Sequence, residues 1–404
     1  MGSRFLQRQL TRQRTDVERA SLHHDIMQLP STDTRRMAWL SRDKISSAGL
    51  TSWPTKKCAM DDTTFSEMLT QFLGRESFMV RHLAGKYIPC SLNQHTTCCK
   101  FGFELSAATL PVATFNDPHD EASQALYMGL MSTVTTVRVE PAHLFSGIVP
   151  PDLMVPTEYK KQPAIVPDAA VTVSIPAAQT ARHARQSETA QPLRMQLFDT
   201  KIIHAFNAYQ HGQREREDQG GAVAARARKV ETEYRAHARK MDARIATAQN
   251  APLATAVQTH LQTLGPIRAA VLGHFGECSP DIHHLVRAAA ESLAATRWRA
   301  MGARSESEAR GFFMNAVRKE LSMSFWTALA RHRQNRLDFV GISRADVQRM
   351  RDQNQRGFGM GGRVRGRHGP VVAPGPRVAP PGWARPSDLR AFAAYQAPGV
   401  GVGA

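Results

Sequence analysis

The sequence predicts an α+β fold in which one helix, three strands, a second helix and a fourth strand succeed one another between residues 116 and 275. Apolar residues at helical spacing predict a helix over residues 116–134, and Gly220-Gly221 precedes a second, longer helical pattern. β-Branched apolar runs predict the strands, which lie at residues 134–139, 165–175, 195–204 and 266–275.

The composition is that of a soluble, strongly basic chain. It has 404 residues, of which 42% are hydrophobic, and a formal net charge of +17 with a pI of about 10.2. This charge favours a polyanionic partner, DNA or RNA before an anionic membrane surface, although incidental basicity is the alternative. The absence of a signal peptide, of a long apolar run and of an even cysteine count favours a reduced intracellular compartment, with the nucleus inferred from a DNA partner. No membrane partner or small-molecule substrate is expected.

Changes in composition divide the chain into six segments. The last is rich in Arg, Gly and Pro and is predicted to be disordered, because it contains too few apolar residues to form a core. Its Arg-Gly tract either contacts nucleic acid or only solubilises the chain. The segments are a polar arm that is a marginal helix or disordered (1–37), a small helical module (38–85), a Cys- and His-containing segment (86–103), the α+β core (116–302), C-terminal helices (303–345) and the tail (350–404).

Two helix starts can be read from local signals. Asp61 or Asp62 is expected to cap one helix, and the hydroxyl of Ser279, followed by Pro280, is expected to cap another. The helix after Asp62 is expected to bury a stripe of Phe65, Met68, Leu69, Phe72 and Leu73.

The charged residues Asp199 and Lys201 lie two positions apart in a β-branched run, so both side chains are expected on the same face of a strand. Pro167-Asp168 opens the preceding predicted strand, and Glu121 lies in the first turn of the predicted helix. Asp152 is a rival to Asp168, because it also opens a short apolar run, but a longer strand follows Asp168.

This pattern is typical of the PD-(D/E)xK nuclease fold, whose core has the order αβββαβ. Phosphodiester hydrolysis needs a divalent metal, and Mg²⁺ prefers one or two carboxylate ligands. Asp168 and Asp199 are therefore predicted to bind Mg²⁺, with Lys201 orienting the water or stabilising charge on the phosphate and Glu121 adding an acidic contact. The alternative is a solvated Asp-Lys pair and an ordinary Pro-Asp turn.

A second metal site is predicted from cysteine and histidine residues at short spacing. Zinc is usually held by four Cys or His ligands, and a knuckle needs a Cys-x2-Cys pair before its histidine. Only one cysteine precedes the histidine here, so the segment is interpreted as a degenerate zinc knuckle, with an intact zinc site and a chance cluster as the alternatives. Its candidate ligands are Cys90, His95, Cys98 and Cys99.

The long helix after Gly221 carries basic residues over much of its surface. These residues are predicted to bind nucleic acid through its phosphates, and the alternative is a helical scaffold with incidental charge. They are Arg226, Arg228, Lys229, Arg235, Arg239 and Lys240.

Several motifs together resemble the region downstream of the reverse transcriptase in non-LTR retrotransposons that carry a restriction-enzyme-like endonuclease. The resemblance covers roughly residues 38–340. It rests on Ala38-Trp39-Leu40, the helix from Phe65 to Gly74, the Cys90/His95/Cys98-Cys99 segment, His119 to Tyr127, Val137 to Pro141, Val166-Pro167-Asp168, Phe198 to His204, Ala222 to Arg228 and Glu233 to Asp242.

In that family the knuckle aids target binding, and the nuclease nicks the DNA strand that primes reverse transcription. The resemblance implies that Asp168, Asp199 and Lys201 match the catalytic motif and that Glu121 matches the helix acid. The chain departs from the family in its incomplete knuckle, in the long loop between its metal-binding motifs and in lacking a Tyr/Phe-x-Asp-Asp polymerase motif. It is therefore expected to be a fragment, a domesticated derivative or a relic. Its expected function is a Mg²⁺-dependent endonuclease, with a catalytically inactive nucleic-acid-binding protein as the alternative.

Overall fold

The computed structural model describes ten parts of the chain: residues 2–50, 60–90, 96–108, 110, 117–154, 165–173, 194–204, 221–250, 252–253 and 255–341. These residues form a mixed α+β structure, which confirms the predicted class. Its helices are α1 (Gly2–Met27), α2 (Thr34–Leu40), α3 (Asp62–Phe72), α4 (Phe103–Ala107), α5 (Asp117–Ser123), α6 (Pro151–Met154), α7 (Gly221–Gln249), α8 (Ala256–Leu264), α9 (Pro280–Arg297) and α10 (Glu306–Gln334). Helix α5 continues as a π-helical segment, Gln124–Leu130.

The described strands form one four-stranded sheet in the order β1-β2-β3-β4. The first three strands pair antiparallel, and β4 pairs parallel with β3. The parallel pairing requires a crossover, which contains α7. The strands are β1 (Val137–Val139), β2 (Ala169–Val173), β3 (Arg194–Ile202) and β4 (Ile267–Leu272).

Helices cover both faces of this sheet. On one face Ala170, Leu197 and Val271 belong to a core that also contains residues of α7. On the other face Ala169, Phe198 and Ala270 pack with residues of α5, α9 and α10. Alternate residues of each strand therefore contribute to opposite cores, as the period of two requires.

Some local predictions are corrected by the packing of the whole chain. Asp61 caps α3 by accepting a hydrogen bond from the backbone N–H of Thr64. The predicted buried stripe of α3 is only partly right, since Phe65 is 46% exposed and Leu73 is 40% exposed. Asp152 lies in the helical turn α6, so it does not open a strand.

Ser279 occupies the N-cap position of α9, but its hydroxyl makes no capping hydrogen bond. The hydroxyl instead donates to the carbonyl of Ala269 and accepts from the N–H of Val271. Asp281, in the first turn of α9, accepts from the N–H of Ala269. The predicted cap was therefore wrong in its bonding, because the start of α9 is tied to the backbone of β4.

Three predictions fall outside the described residues. They are most of the long loop between the metal-binding motifs (residues 176–193), the zinc-ligand candidate His95 and the tail at residues 350–404. In the part of the chain that is described, no helix is both long enough and apolar enough to cross a membrane.

Candidate active site

The register of the sheet brings the two predicted metal-binding carboxylates together. Ala169 and Phe198 form the last pair of the β2–β3 ladder, and the next residue on each side is Asp168 and Asp199, so extending the antiparallel register by one residue places the two aspartates opposite one another. Residues directly opposite in such a pair have Cβ atoms roughly 5 Å apart and on the same face. A direct contact agrees with this register, because the backbone N–H of Thr200 donates to Oδ2 of Asp168 at 2.6 Å.

Asp168 also receives a hydrogen bond from helix α5. Nε2 of His119 lies 3.0 Å from the same Oδ2 atom of Asp168, and Nδ1 of His119 lies 3.0 Å from Oδ1 of Asp120. Burial raises the pKa of Asp168, but the hydrogen bond and charge of His119 outweigh this effect and hold the pKa below its ordinary value. Burial lowers the pKa of His119, whereas Asp168 and Asp120 raise it, to about 9. Asp168 is therefore a carboxylate beside an imidazolium at neutral pH.

Asp199 is almost completely buried and has two side-chain partners. Its Oδ2 atom pairs with Nζ of Lys201 at 2.6 Å, which confirms that the two charges share a face of β3. Its Oδ1 atom accepts a hydrogen bond of 2.8 Å from the hydroxyl of Tyr234 on α7. Burial raises the pKa of Asp199, Lys201 opposes this effect, and the neighbouring carboxylate of Asp168 raises the pKa further.

The residue between Asp199 and Lys201 faces the opposite side of the sheet. There the hydroxyl of Thr200 lies 3.1 Å from the hydroxyl of Tyr127, and both residues are buried. Tyr127 belongs to the π-helical segment that follows α5, and such segments are frequent at functional sites. The central part of β3 is thus held from both faces by tyrosines.

Glu121 contacts a different part of the molecule from the two aspartates. Its Oε1 atom lies 3.8 Å from Nη1 of Arg331 on α10. The ion pair connects α5 to α10. Its predicted role as an additional acidic ligand stays a prediction.

The donor chemistry of Asp168 and Asp199 fits a hard divalent cation. Two carboxylates face one another, and the proximity of Asp168 raises the pKa of Asp199. A cation between them would relieve this repulsion. No group of three or more His, Cys, Asp or Glu side chains suited to a metal occurs among the described residues. The two carboxylates would therefore need water or backbone oxygens as further ligands, which is usual for Mg²⁺.

The described cysteines of the knuckle-like segment lie in an apolar environment. Cys90 and Cys98 are buried in a cluster with Met79, Val80 and Ile88. Burial raises the pKa of the Cys98 thiol to about 11, whereas zinc binds the thiolate. Cys99 is partly buried, and burial together with its hydrogen bond to Glu104 raises its pKa as well. The zinc site stays a prediction.

The basic residues predicted to bind nucleic acid lie along α7, and most of them are exposed. Two are engaged by acidic neighbours on the same helix: Arg226 donates two hydrogen bonds to Glu233, and Arg235 pairs with Glu231. The remaining four are exposed basic residues at the surface of the helix, namely Arg228, Lys229, Arg239 and Lys240.

The sequence did not predict that His119 and Tyr234 are hydrogen-bond partners of the two aspartates. His119 lies two positions before Glu121 in the predicted helix, and Tyr234 lies within the long basic helix predicted after Gly221. The signal for Tyr234 in the sequence was a tyrosine on the buried face of a helix, because a buried tyrosine hydroxyl usually has a hydrogen-bond partner.

No family model, no curated protein and no solved structure matches this chain.

Proposed function

We propose that the chain is a restriction-enzyme-like endonuclease of the PD-(D/E)xK type that hydrolyses DNA phosphodiesters with Mg²⁺. The observation that carries this proposal is the register that sets Asp168 opposite Asp199, with Lys201 on the same face. The order of helix α5, strands β1 to β3, helix α7 and strand β4 supports it. Nicking of a target strand by a retrotransposon-derived domain is the biological role implied by the family resemblance.

Each polar residue of the site has a role in this reaction. Asp168 and Asp199 would hold the cation. When bound, Mg²⁺ polarises the phosphate and lowers the pKa of the attacking water. Lys201 stabilises the negative charge that develops on the phosphate, since its ammonium is held beside Asp199 at the site. Tyr234 donates to Asp199 and so fixes the orientation of this carboxylate.

The proposal is tested by nicking of supercoiled plasmid by the full chain. The wild-type chain is expected to convert supercoiled to open-circular DNA with Mg²⁺ or Mn²⁺ and not with a chelator. Replacing both carboxylates, Asp168→Asn with Asp199→Asn, is expected to lower the nicking rate at least about 100-fold, since the amides do not provide the anionic ligands that Mg²⁺ prefers.

A matched control is Asp16→Asn with Glu18→Gln, two exposed carboxylates on α1, which removes the same formal charge outside the site. This variant is expected to nick at the wild-type rate. Nicking that persists in the Asp168/Asp199 variant, or that does not depend on the metal, would contradict the proposed active site.

A second candidate function is nucleic-acid binding without catalysis. The observation that favours it is the exposed basic surface of α7 formed by Arg228, Lys229, Arg239 and Lys240. Phosphate contacts release counterions, so the affinity of such a surface falls steeply as salt rises.

Replacement of these four residues by glutamine is expected to weaken DNA binding and to flatten its salt dependence. The slope of log affinity against log salt should become less negative by up to about 3.6, because each of the four phosphate contacts contributes about 0.9 to the slope. Fluorescence anisotropy of labelled duplex between about 50 and 200 mM salt measures this slope. Equal slopes for the variant and the wild type would show that these four residues of α7 do not contact DNA. Nicking by the wild-type chain would show that it is an enzyme and not only a nucleic-acid-binding protein.

A further inference from the structure

The carboxylate of Asp168 lies just before strand β2, at the point where the ladder with β3 ends. Its side chain is 22% exposed, so packing alone constrains it less than the 3%-exposed side chain of Asp199. Two donors reach it, the backbone N–H of Thr200 and Nε2 of His119. The first belongs to the sheet, whereas the second comes from helix α5, which packs beside it.

Both donors bond the same oxygen. Oδ2 of Asp168 accepts from Thr200 at 2.6 Å and from His119 at 3.0 Å. Fixing Oδ2 from two directions also fixes the direction of Oδ1, the other oxygen of the carboxylate. Groups that hydrogen-bond to metal ligands in this way typically alter metal affinity 10–100-fold when they are removed.

We propose that His119 is a positioning residue, which holds the Asp168 carboxylate in the orientation that binds the divalent cation. The inference rests on the proposed function, because it concerns the cation site formed by Asp168 and Asp199. His119 acts through Nε2, while its Nδ1 atom contacts Asp120, whose side chain is 72% exposed. The contact with Asp120 is therefore dispensable for the site.

The two nitrogens of His119 can be tested separately with amide side chains. The amide of glutamine extends to the position of Nε2, whereas the shorter asparagine reaches only the position of Nδ1. His119→Gln is therefore expected to preserve the hydrogen bond to Asp168, and His119→Asn is expected to lose it. Asp120→Asn, which changes only the exposed partner, is the matched control.

The experiment measures the dissociation constant of Mn²⁺ for the full chain by titration calorimetry, alongside the nicking rate at saturating Mn²⁺. His119→Asn is expected to raise the Mn²⁺ dissociation constant about tenfold or more. His119→Gln and Asp120→Asn are expected to remain within about threefold of wild type. Thermal unfolding of each variant, followed by circular dichroism, establishes that it is folded.

The outcomes separate this inference from the proposed function. A wild-type chain that neither binds Mn²⁺ nor nicks DNA overturns the proposed function and the inference with it. If the wild-type chain binds Mn²⁺ and nicks DNA, and His119→Asn does so with the same dissociation constant and the same rate, the inference alone is overturned. An equal loss of affinity in folded His119→Asn and His119→Gln variants would also overturn it, because the loss would then not follow the hydrogen bond from the Nε2 position.

Discussion

A chain carrying Glu67→Gln is expected to lose about 3–5 kcal/mol of its free energy of unfolding, the cost of breaking a buried ion pair by removing one partner. Glu67 on α3 and Arg333 on α10 are both fully buried and form an ion pair. The substitution preserves the shape of Glu67 but leaves the Arg333 charge without its carboxylate. The loss should appear as a lower urea midpoint and a lower thermal midpoint.

The contacts around this ion pair explain the size of the effect. The Glu67 carboxylate also accepts hydrogen bonds from the hydroxyl of Ser77 and from the N–H of Met79. Nε of Arg333 lies 3.2 Å from the hydroxyl of Ser106, and its Nη2 atom lies 2.9 Å from Nε2 of His274. The pair thus joins α3, α10, the end of α4 and the loop that follows β4.

A double variant and an exposed ion pair provide the controls for Glu67→Gln. Glu67→Gln with Arg333→Met removes both charges and is expected to be more stable than Glu67→Gln alone, since no buried charge is left uncompensated. Glu76→Gln breaks a pair with Lys100 in which both side chains are about half exposed, and it should leave the unfolding midpoint unchanged. A midpoint for Glu67→Gln equal to that of wild type would contradict the argument.

The sequence predicts those parts of the fold and site that depend on local spacing. The period of two in β3 was sufficient to place Asp199 and Lys201 on one face, and their 2.6 Å contact confirms it. Asp61 was a correct N-cap, because its hydrogen bond to the N–H of Thr64 closes within a single turn. The succession of strands along the chain was read from the β-branched runs, whereas their order within the sheet was not predicted.

The other parts of the fold and of the candidate site depend on contacts between residues far apart in sequence, which the spacing of residues does not reveal. Glu67 and Arg333 are separated by 266 positions, and His119 and Asp168 by 49. Tyr234 reaches Asp199 only because α7 packs on that face of the sheet. The hydroxyl of Ser279 was predicted as a helix cap by its local pattern, yet the neighbouring backbone of β4 provides it with other partners.

Three buried histidines are expected to make the fold less stable in mild acid. The rings of His204 and His332 stack with centroids 4.7 Å apart, and Nε2 of His274 contacts Arg333. Burial lowers the pKa of His204 and His274 well below its ordinary value, and burial lowers that of His332 to about 3. The guanidinium of Arg333 contributes to the lowering at all three histidines, and that of Arg336 contributes at His204 and His332.

The sign of the effect follows from proton binding in the two states. Below a pH of about 6.5 the unfolded chain protonates these histidines while the folded chain does not, so the free energy of unfolding falls as the pH falls. Each histidine contributes a loss of about 1.4 kcal/mol between pH 7.5 and 5.5, or about 4 kcal/mol for the three. His119 acts in the opposite direction, because its pKa is raised to about 9 in the folded chain. The stability gained through His119 between pH 7.5 and 5.5 offsets the loss from about one of the three buried histidines. The net loss in the free energy of unfolding is therefore roughly 3 kcal/mol.

Urea unfolding at pH 7.5 and pH 5.5 measures this difference, and a substitution within the cluster shows where it originates. His274→Gln removes one of the three titrating groups, so the difference in unfolding free energy between the two pH values should shrink by about 1.4 kcal/mol. His24→Gln, on the exposed surface of α1, should leave the difference unchanged. Equal stability of the wild-type chain at the two pH values would contradict the prediction, because neutral buried imidazoles beside fixed guanidinium charges must resist protonation more strongly than the same residues in the unfolded chain.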